Sequence, residues 1–366
     1  VKITKAWELV DLITLSYIKS SNSKVIIKII DSYNSLQDFV DDGGLFKYFN
    51  NIEELYHNPL EEAKNFANQQ LEICSNNQIN ILTIWDENYP VSLINIDYPP
   101  PILFYKGILQ SADQNVISIV GTRKNTVYGK LVTEDFASFF ANHNIIVCSG
   151  LAFGIDTIAH LTTIANHGIT YAVIASGLDN YYTGITAKNA NKILESGGAV
   201  FSEYKCGVVA RPGYFPQRNR IISGLAKAVI VIECAEKSGA LITAKFAFNQ
   251  GREVFAVPGN INTEKSKGTN LLIKNDYASP ALSPEQVLLD LNLISSDKLN
   301  FEKVEIIFDS PQEKIVYDNL NFEPKHIDTI LQETGLDISE LLVSLLNLEF
   351  RNLVKQLPGK YYLLQK

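Results

Sequence analysis

Short, uninterrupted apolar runs alternate through the middle of this chain with amphipathic stretches. Val116-Ile-Ser-Ile-Val120 opens into Gly121-Thr-Arg-Lys124, and a second run ends in Ser149-Gly-Leu-Ala-Phe-Gly-Ile-Asp156. Tyr171–Ala175 ends at Ser176-Gly177, Ala228–Ile232 ends at Glu233, and Val254–Val257 ends at Pro258-Gly259. Runs this short and this apolar read as strands covered on both faces. Between the first two, Thr126 to Asn142 places Leu131, Phe136, Phe139 and Phe140 on one helical stripe. Asp156 stands where it would cap a helix running through His160, and Ser238-Gly239 opens another over Ala240 to Asn249. Strand, loop and helix in repetition predict an α/β fold, an extended Rossmann-like parallel sheet. Ligands of such sheets sit outside the carboxyl ends of the strands, which is where this sequence gathers Gly, Ser and Arg.

The flanking regions have a different texture. Residues 1–70 show helical periodicity (Trp7, Leu9, Val10, Leu12, Ile13, Leu15; Val25 to Ile30; Leu36, Phe39, Val40) broken by polar turns, which predicts a small helical N-terminal domain. Within residues 71–292, Ile81–Pro90 and Tyr98–Gly107 read as strands that extend the main sheet. Residues 293–312, polar and mixed, read as a linker. Residues 313–366 give helix, turn, helix and then two strands around Pro358-Gly359, the order of a winged-helix C-terminal domain, with Ser339 as the expected cap of its second helix. That helix, Ser339 to Phe350, is Leu-rich, carries Glu340 and Glu349 and has no lysine or arginine, so protein contact is favoured over base reading.

Composition narrows the picture further. The 366 residues are 46% hydrophobic, enough for a substantial core, and no apolar run is long enough to span a bilayer. With a start lacking a signal-peptide pattern, the expectation is a cytoplasmic protein that does not use a membrane. The four cysteines, without any C-x-x-C spacing, read as reduced buried thiols, and neither they nor the five dispersed histidines form a metal-binding pattern. A net charge of -8 means that a polyanionic partner must be met by a local basic patch.

Such a patch is dense at Arg211-Pro-Gly-Tyr-Phe-Pro-Gln-Arg-Asn-Arg-Ile-Ile-Ser-Gly-Leu225. Arginine forks match phosphate and an aromatic ring stacks any base, the combination a single-strand groove requires, whereas a structural loop would pair the same arginines with carboxylates. Arg218 and Arg220 are expected to face solvent there, beside Phe215 and Asn219. Convergence favours the groove: Gly121, Arg123 and Lys124 follow one strand, Ser149 and Gly150 the next, Ser176 and Gly177 a third, while Ser238 and Gly239 begin a helix. Small residues let backbone N–H groups approach phosphates. No G-x-G-x-x-G follows Gly121 and no Walker-type loop occurs, which argues against dinucleotide or nucleoside-triphosphate cofactors. No catalytic constellation emerges. Asp179 and Glu233 read as partners of arginines, and Asn260 and Asn270 as loop organisers.

The blocks Ile119-Val-Gly-Thr-Arg123, Ser149–Asp156, Gly177-Leu-Asp179, Phe215–Leu225, Ser238–Ala244, Gly251-Arg252, Val257-Pro-Gly259 and Gly268–Ile273, in this order, resemble the DNA-processing protein A family (DprA, also called Smf). The resemblance is strongest over 89–292. It implies a SAM-like N-terminal domain, a winged helix at the other end, and a bacterial, dimeric, non-enzymatic protein. That protein would bind single-stranded DNA, protect incoming strands and load a RecA-type recombinase in natural transformation. Arg123, Arg218 and Arg220 fall on the family's basic positions, and Lys188 or Lys192 on its lysine after Gly-Leu-Asp. Gly154 and Phe153 belong to the same set, although position 153 is often basic in the family and Tyr182-Thr183 replaces its Tyr-Pro. The alternative is a nucleotide-processing phosphoribohydrolase of the LOG-like type, whose Pro-Gly-Gly-x-Gly-Thr loop is cut short here at Pro258-Gly-Asn260.

Overall fold

The computed structural model describes residues 7–18, 23–45, 59–111, 114–179, 184–295 and 308–365. They fall into two compact units, Val1–Leu293 and Ile294–Lys366. Tyr182 and Thr183, and residues 296–307 of the predicted linker, lie outside the described residues.

Nine strands of the described residues form the sheet of the larger unit: β1 (Asn80–Thr83), β2 (Ile102–Gly107), β3 (Val116–Val120), β4 (Ile146–Ser149), β5 (Thr170–Val173), β6 (Ala199–Ser202), β7 (Ala228–Val231), β8 (Glu253–Ala256) and β9 (Ser279–Pro280). Their order is β1-β2-β6-β5-β4-β3-β7-β8-β9. From β6 to β9 neighbours are parallel, whereas β2 pairs antiparallel with both β1 and β6. The chain lays β4, β5 and β6 on one side of β3, then returns to place β7, β8 and β9 on the other. The boundary between β3 and β7 is therefore the topological switch point, where a crevice opens beyond the strand ends.

The two-residue period of a strand sends alternate side chains to opposite faces, and both faces are apolar here. Along β5 and the residue after it, Tyr171 and Val173 join one core cluster with Phe201, Val229, Ile221, Ile222 and Ala244, while Ala172 and Ile174 join the other with Val200, Ile102 and Phe104. The second cluster also holds Leu12, Ile13, Ile29, Phe39, Ala67 and Cys74 of the N-terminal helices Leu9–Ile18, Ser23–Ser32, Leu36–Asp41 and Pro59–Asn76. Those helices share a core with the sheet, and the last of them runs across residue 70, where the sequence suggested a domain edge. All four cysteines are free and buried. Burial pushes the Cys148 and Cys234 thiols up to about 12, so neither is a ready nucleophile.

The smaller unit is a winged helix. Ser310 caps the Pro311–Asp318 helix by accepting from Glu313 N, so this helix begins inside the stretch read as linker. The helix Ile327–Thr334 ends at Gly335, whose φ of 66° gives the left-handed turn that releases the chain toward the next helix. The next helix, Ile338–Phe350, is capped by Asp337 and not by Ser339: the Asp337 carboxylate accepts from Ser339 N and Glu340 completes a capping box. Strands β10 (Lys325–His326), β11 (Val354–Leu357) and β12 (Tyr361–Leu364) pair in the order β10-β12-β11. The buried Glu313 accepts from Asn347 Nδ2 at 3.0 Å and Arg351 Nη1 at 3.2 Å, tying the first helix to the last.

Candidate nucleic-acid interface

The loop that leaves β3 is fixed before any ligand arrives. Thr122 N donates to Glu233 O at the end of β7 (2.8 Å), and Ile155 N donates to Thr122 O (3.2 Å). Glu233 is buried, and its carboxylate accepts from Thr126 N (2.9 Å) and Thr126 Oγ1 (2.5 Å), while Thr126 caps the Val127–Asn142 helix through Gly129 N. Glu233 thus anchors the turn instead of pairing with an arginine. Asp179 likewise serves backbone, accepting from Gly207 N at 2.9 Å. Between these anchors Arg123 projects into solvent with its guanidinium 5.5 Å from the centre of the Phe215 ring, a cation–π distance.

Asp156 is not the cap predicted for its helix. The helix is Ile155–Ala165, Gly154 stands at its N-cap, and the Asp156 carboxylate turns back to accept from Gly150 N (3.2 Å) and Ala152 N (3.4 Å). Burial drives its pKa up to about 6, against the pull of the nearby Arg218 guanidinium and the two backbone donors. His160 on the same helix is buried against Thr170, and burial pushes it down to about 3, so it stays neutral. Gly154 has φ 79°, and a Cβ there would lie 2.4 Å from Thr122 O and 2.7 Å from Arg123 O. Only glycine allows the helix to approach the turn so closely. Gly154→Ala is therefore expected to push the Thr122–Arg123 turn aside and cost about 2–3 kcal/mol, read as a lowered midpoint in thermal unfolding.

Arg218 and Arg220 lie on a helix, Tyr214–Leu225, and neither faces solvent as expected. Pro216 sits in the first turn, where its missing N–H costs nothing, and the helical period turns Arg218, Ile221, Ile222 and Leu225 inward. Arg218 is 4% exposed and donates to Gly150 O (2.7 Å) and Val173 O. Arg220 is 9% exposed and bonds Glu203, whose own pKa burial raises and Arg220 lowers. Burying a guanidinium requires such partners, so these two arginines act first as struts.

At the switch point the structure opens a cleft of about 330 Å³. It brings together Gly121, Arg123, Phe215, Arg218, Asn219, Ser238 and Gly239 of the predicted set. Ser238 caps the Gly239–Asn249 helix through Ala240 N, so that helix begins at the cleft, and Asn219 Nδ2 reaches Gly239 O at 3.4 Å. Lys124, Ser149, Gly150, Phe153, Gly154, Ser176, Gly177, Lys188 and Arg220 do not line it. Two of them have committed backbones: Gly150 N is used by Asp156, and Gly177 N donates to Val208 O at 2.8 Å. Phe153, Lys124 and Lys188 are exposed, Phe153 next to the lining residue Ala152. Sequence reasoning overlooked Thr122 and Lys237, although Lys237 directly precedes the Ser238-Gly239 pair and is exposed on the rim. Nearby, Asn270 does organise a loop, exchanging bonds with Gly259 N and O at 3.1 and 2.9 Å. The cleft combines two exposed cations, a ring face and a helix start, which suits an anion carrying a flat apolar group.

Comparison with known proteins gives a consistent picture. The family described as DNA recombination-mediator protein A matches residues 80–292, and the DprA winged helix domain matches residues 308–360. Protein Smf of Escherichia coli is 35% identical over 289 residues, covering 76% of each chain. DNA processing protein DprA of Bacillus subtilis is 38% identical over 214 residues, 58% of this chain and 71% of its own. The X-ray structure of DNA processing protein A from Streptococcus pneumoniae superposes with a TM-score of 0.64 at 30% identity, over 79% of this chain and 99% of that one. A structure of the Helicobacter pylori protein, concerned with its single-stranded DNA binding mode, reaches a TM-score of 0.53 at 28% identity over 59% of this chain and 96% of that one.

Proposed function

The chain belongs to the DNA recombination-mediator protein A family, and from that premise we propose that it binds single-stranded DNA in the cleft between β3 and β7. In this reading it acts as a homodimer without a chemical step, protects incoming strands and loads a RecA-type recombinase in natural transformation. The observation that carries the binding role is the pairing of Arg123 with the Phe215 ring beside Lys237 on the cleft rim. A base stacks on the ring while the guanidinium and ammonium groups meet flanking phosphates. The single-stranded DNA binding mode described for the Helicobacter pylori relative supports the same ligand class.

Titrating labelled oligothymidine and a blunt duplex tests this. Oligothymidine should bind far more tightly, with log K against log salt sloping about -2 to -3 for three or four phosphates neutralised. Equal affinity for the two would remove the reading. A chain ending at Leu293 should keep this binding, because the cleft lies wholly within the first compact unit.

For the dimer, Phe248, Leu271 and Tyr277 are exposed on or next to the helices Gly239–Asn249 and Lys267–Lys274, with the Phe248 and Tyr277 rings 5.0 Å apart. This apolar face supports subunit pairing there. Light scattering should give twice 40.8 kDa for the intact chain. Phe248→Glu should give a monomer whose affinity no longer rises steeply with oligonucleotide length, because two tethered pockets gain roughly 10²–10⁴ in avidity over one. A wild-type monomer at micromolar concentration would end the two-pocket reading.

A further inference from the structure

The Ile338–Phe350 helix of the winged-helix unit is apolar on both sides. Leu341, Leu345 and Leu348 face the core of that unit, which is the ordinary amphipathic arrangement. The opposite side carries Ile338, Leu342, Leu346 and Phe350 at a spacing of four, with Val343 alongside, and all five are exposed; Val343 is 59% and Phe350 77% accessible. Residues four apart are neighbours on a helix surface, so this is one continuous stripe about 18 Å long. A single exposed leucine needs no explanation, but a contiguous row of this kind marks an interaction surface.

Charge identifies the occupant. At about 100° per residue, Glu349 falls on one border of the stripe, and Glu340 beside Asn347 falls on the other. No lysine or arginine lies between Ile338 and Phe350. An antiparallel second copy would set Glu340 of one helix near Glu349 of the other with no cation on either helix to answer them, so self-association through this stripe is disfavoured. Duplex DNA is disfavoured for the same reason, and Asn347, the one amide on the helix, gives its Nδ2 to Glu313. We propose that this stripe docks an amphipathic helix of a partner protein, one whose apolar seam is bordered by lysine or arginine. Apolar side chains supply the contact and the two carboxylates choose the partner's charge, the helix-in-groove mode of recognition. The inference rests on the C-terminal unit alone and does not depend on the DNA-binding reading.

The test uses the full-length chain and two labelled synthetic peptides of about sixteen residues with the same leucine seam, one bordered by lysine and the other by glutamate. Fluorescence anisotropy should show binding of the lysine-bordered peptide at least about 10-fold tighter than its counterpart. The double substitution Leu346→Ser, Phe350→Ser, at two exposed positions, should abolish that binding while leaving the unfolding midpoint unchanged. Glu340→Lys with Glu349→Lys should reverse the preference toward the glutamate-bordered peptide. Equal binding of the two peptides, or binding of neither, would overturn the proposal. So would a drop in the mass of the chain caused by the serine double variant, which would assign the stripe to a second copy. A parallel loss of duplex affinity in that variant would assign it to nucleic acid and overturn the proposal as well.

Discussion

Arg218→Glu is expected to prevent the chain from holding its native structure. The guanidinium it replaces donates to Gly150 O and Val173 O and lies beside Asp156, in a site almost closed to water. A glutamate there would oppose two carbonyl oxygens and a second carboxylate. Breaking a buried charged network from one side costs about 3–5 kcal/mol, and the reversed sign adds to this, against a total stability of about 5–15 kcal/mol for a domain. Soluble yield and the near-ultraviolet signal should both collapse. Arg218→Met, which fills similar volume without charge, should survive in weakened form and isolates the role of Asp156. The folded-state pKa of Asp156 lies at about 6, above the ordinary carboxyl value of 3.8, so the native chain holds the extra proton between those values. Its contribution to stability is therefore full below about pH 4 and fades as pH rises through 6. Without Arg218 the carboxyl should hold its proton to still higher pH, making Arg218→Met more stable at pH 5 than at pH 7. Adding Asp156→Asn should flatten that dependence.

Arg123→Glu should behave in the opposite way. Its side chain is exposed and rests against one face of Phe215, so thermal unfolding should match that of the wild type within the small range typical of surface changes, about 0.5 kcal/mol. Affinity for oligothymidine should fall roughly 10- to 100-fold, because attraction for a phosphate becomes repulsion at the centre of the cleft. The salt slope should become shallower by about 0.7, since one phosphate fewer is neutralised. Retained affinity with an unchanged slope would move the binding surface away from the switch point. Comparison of these two arginines separates an exposed cation on the cleft from one that builds the wall behind it.

The same pair shows what was legible in the sequence. The uninterrupted apolar runs of β3, β4, β5, β7 and β8 announced a covered parallel sheet, and Gly121 and Arg123 pointed to the strand end at which the cleft opens. Hidden was β6, whose run Ala199-Val-Phe201 is short and follows two glycines, so it lacks the length that marks its neighbours. Hidden too was the helix Tyr214–Leu225, because Gly213, Pro216 and two arginines look like a surface loop when arginine is assumed to be exposed. Tertiary partners reverse that assumption: Glu203 for Arg220, and the carbonyls of β5 and Gly150 for Arg218. Nothing local in the sequence encodes a partner that arrives from another strand. Lys237 was legible and overlooked, since a lysine immediately before a Ser-Gly helix start is a simple anion signal.

The antiparallel insertion of β2 between β1 and β6 also sets a timetable. Gly107 pairs with Ala199 and Ile117 with Ala228, so the centre of the sheet waits for chain made much later than the strands it completes. During synthesis at about 5–20 residues per second, β1 and β2 emerge as a hairpin whose outer edge stays unpaired for roughly 5–20 s until β6 appears. Lys106, on that waiting strand, puts a charge where another chain would otherwise add itself. Pairings so distant in sequence also predict slow refolding from denaturant, with the β1–β2 hairpin protected from hydrogen exchange before β3 and β7.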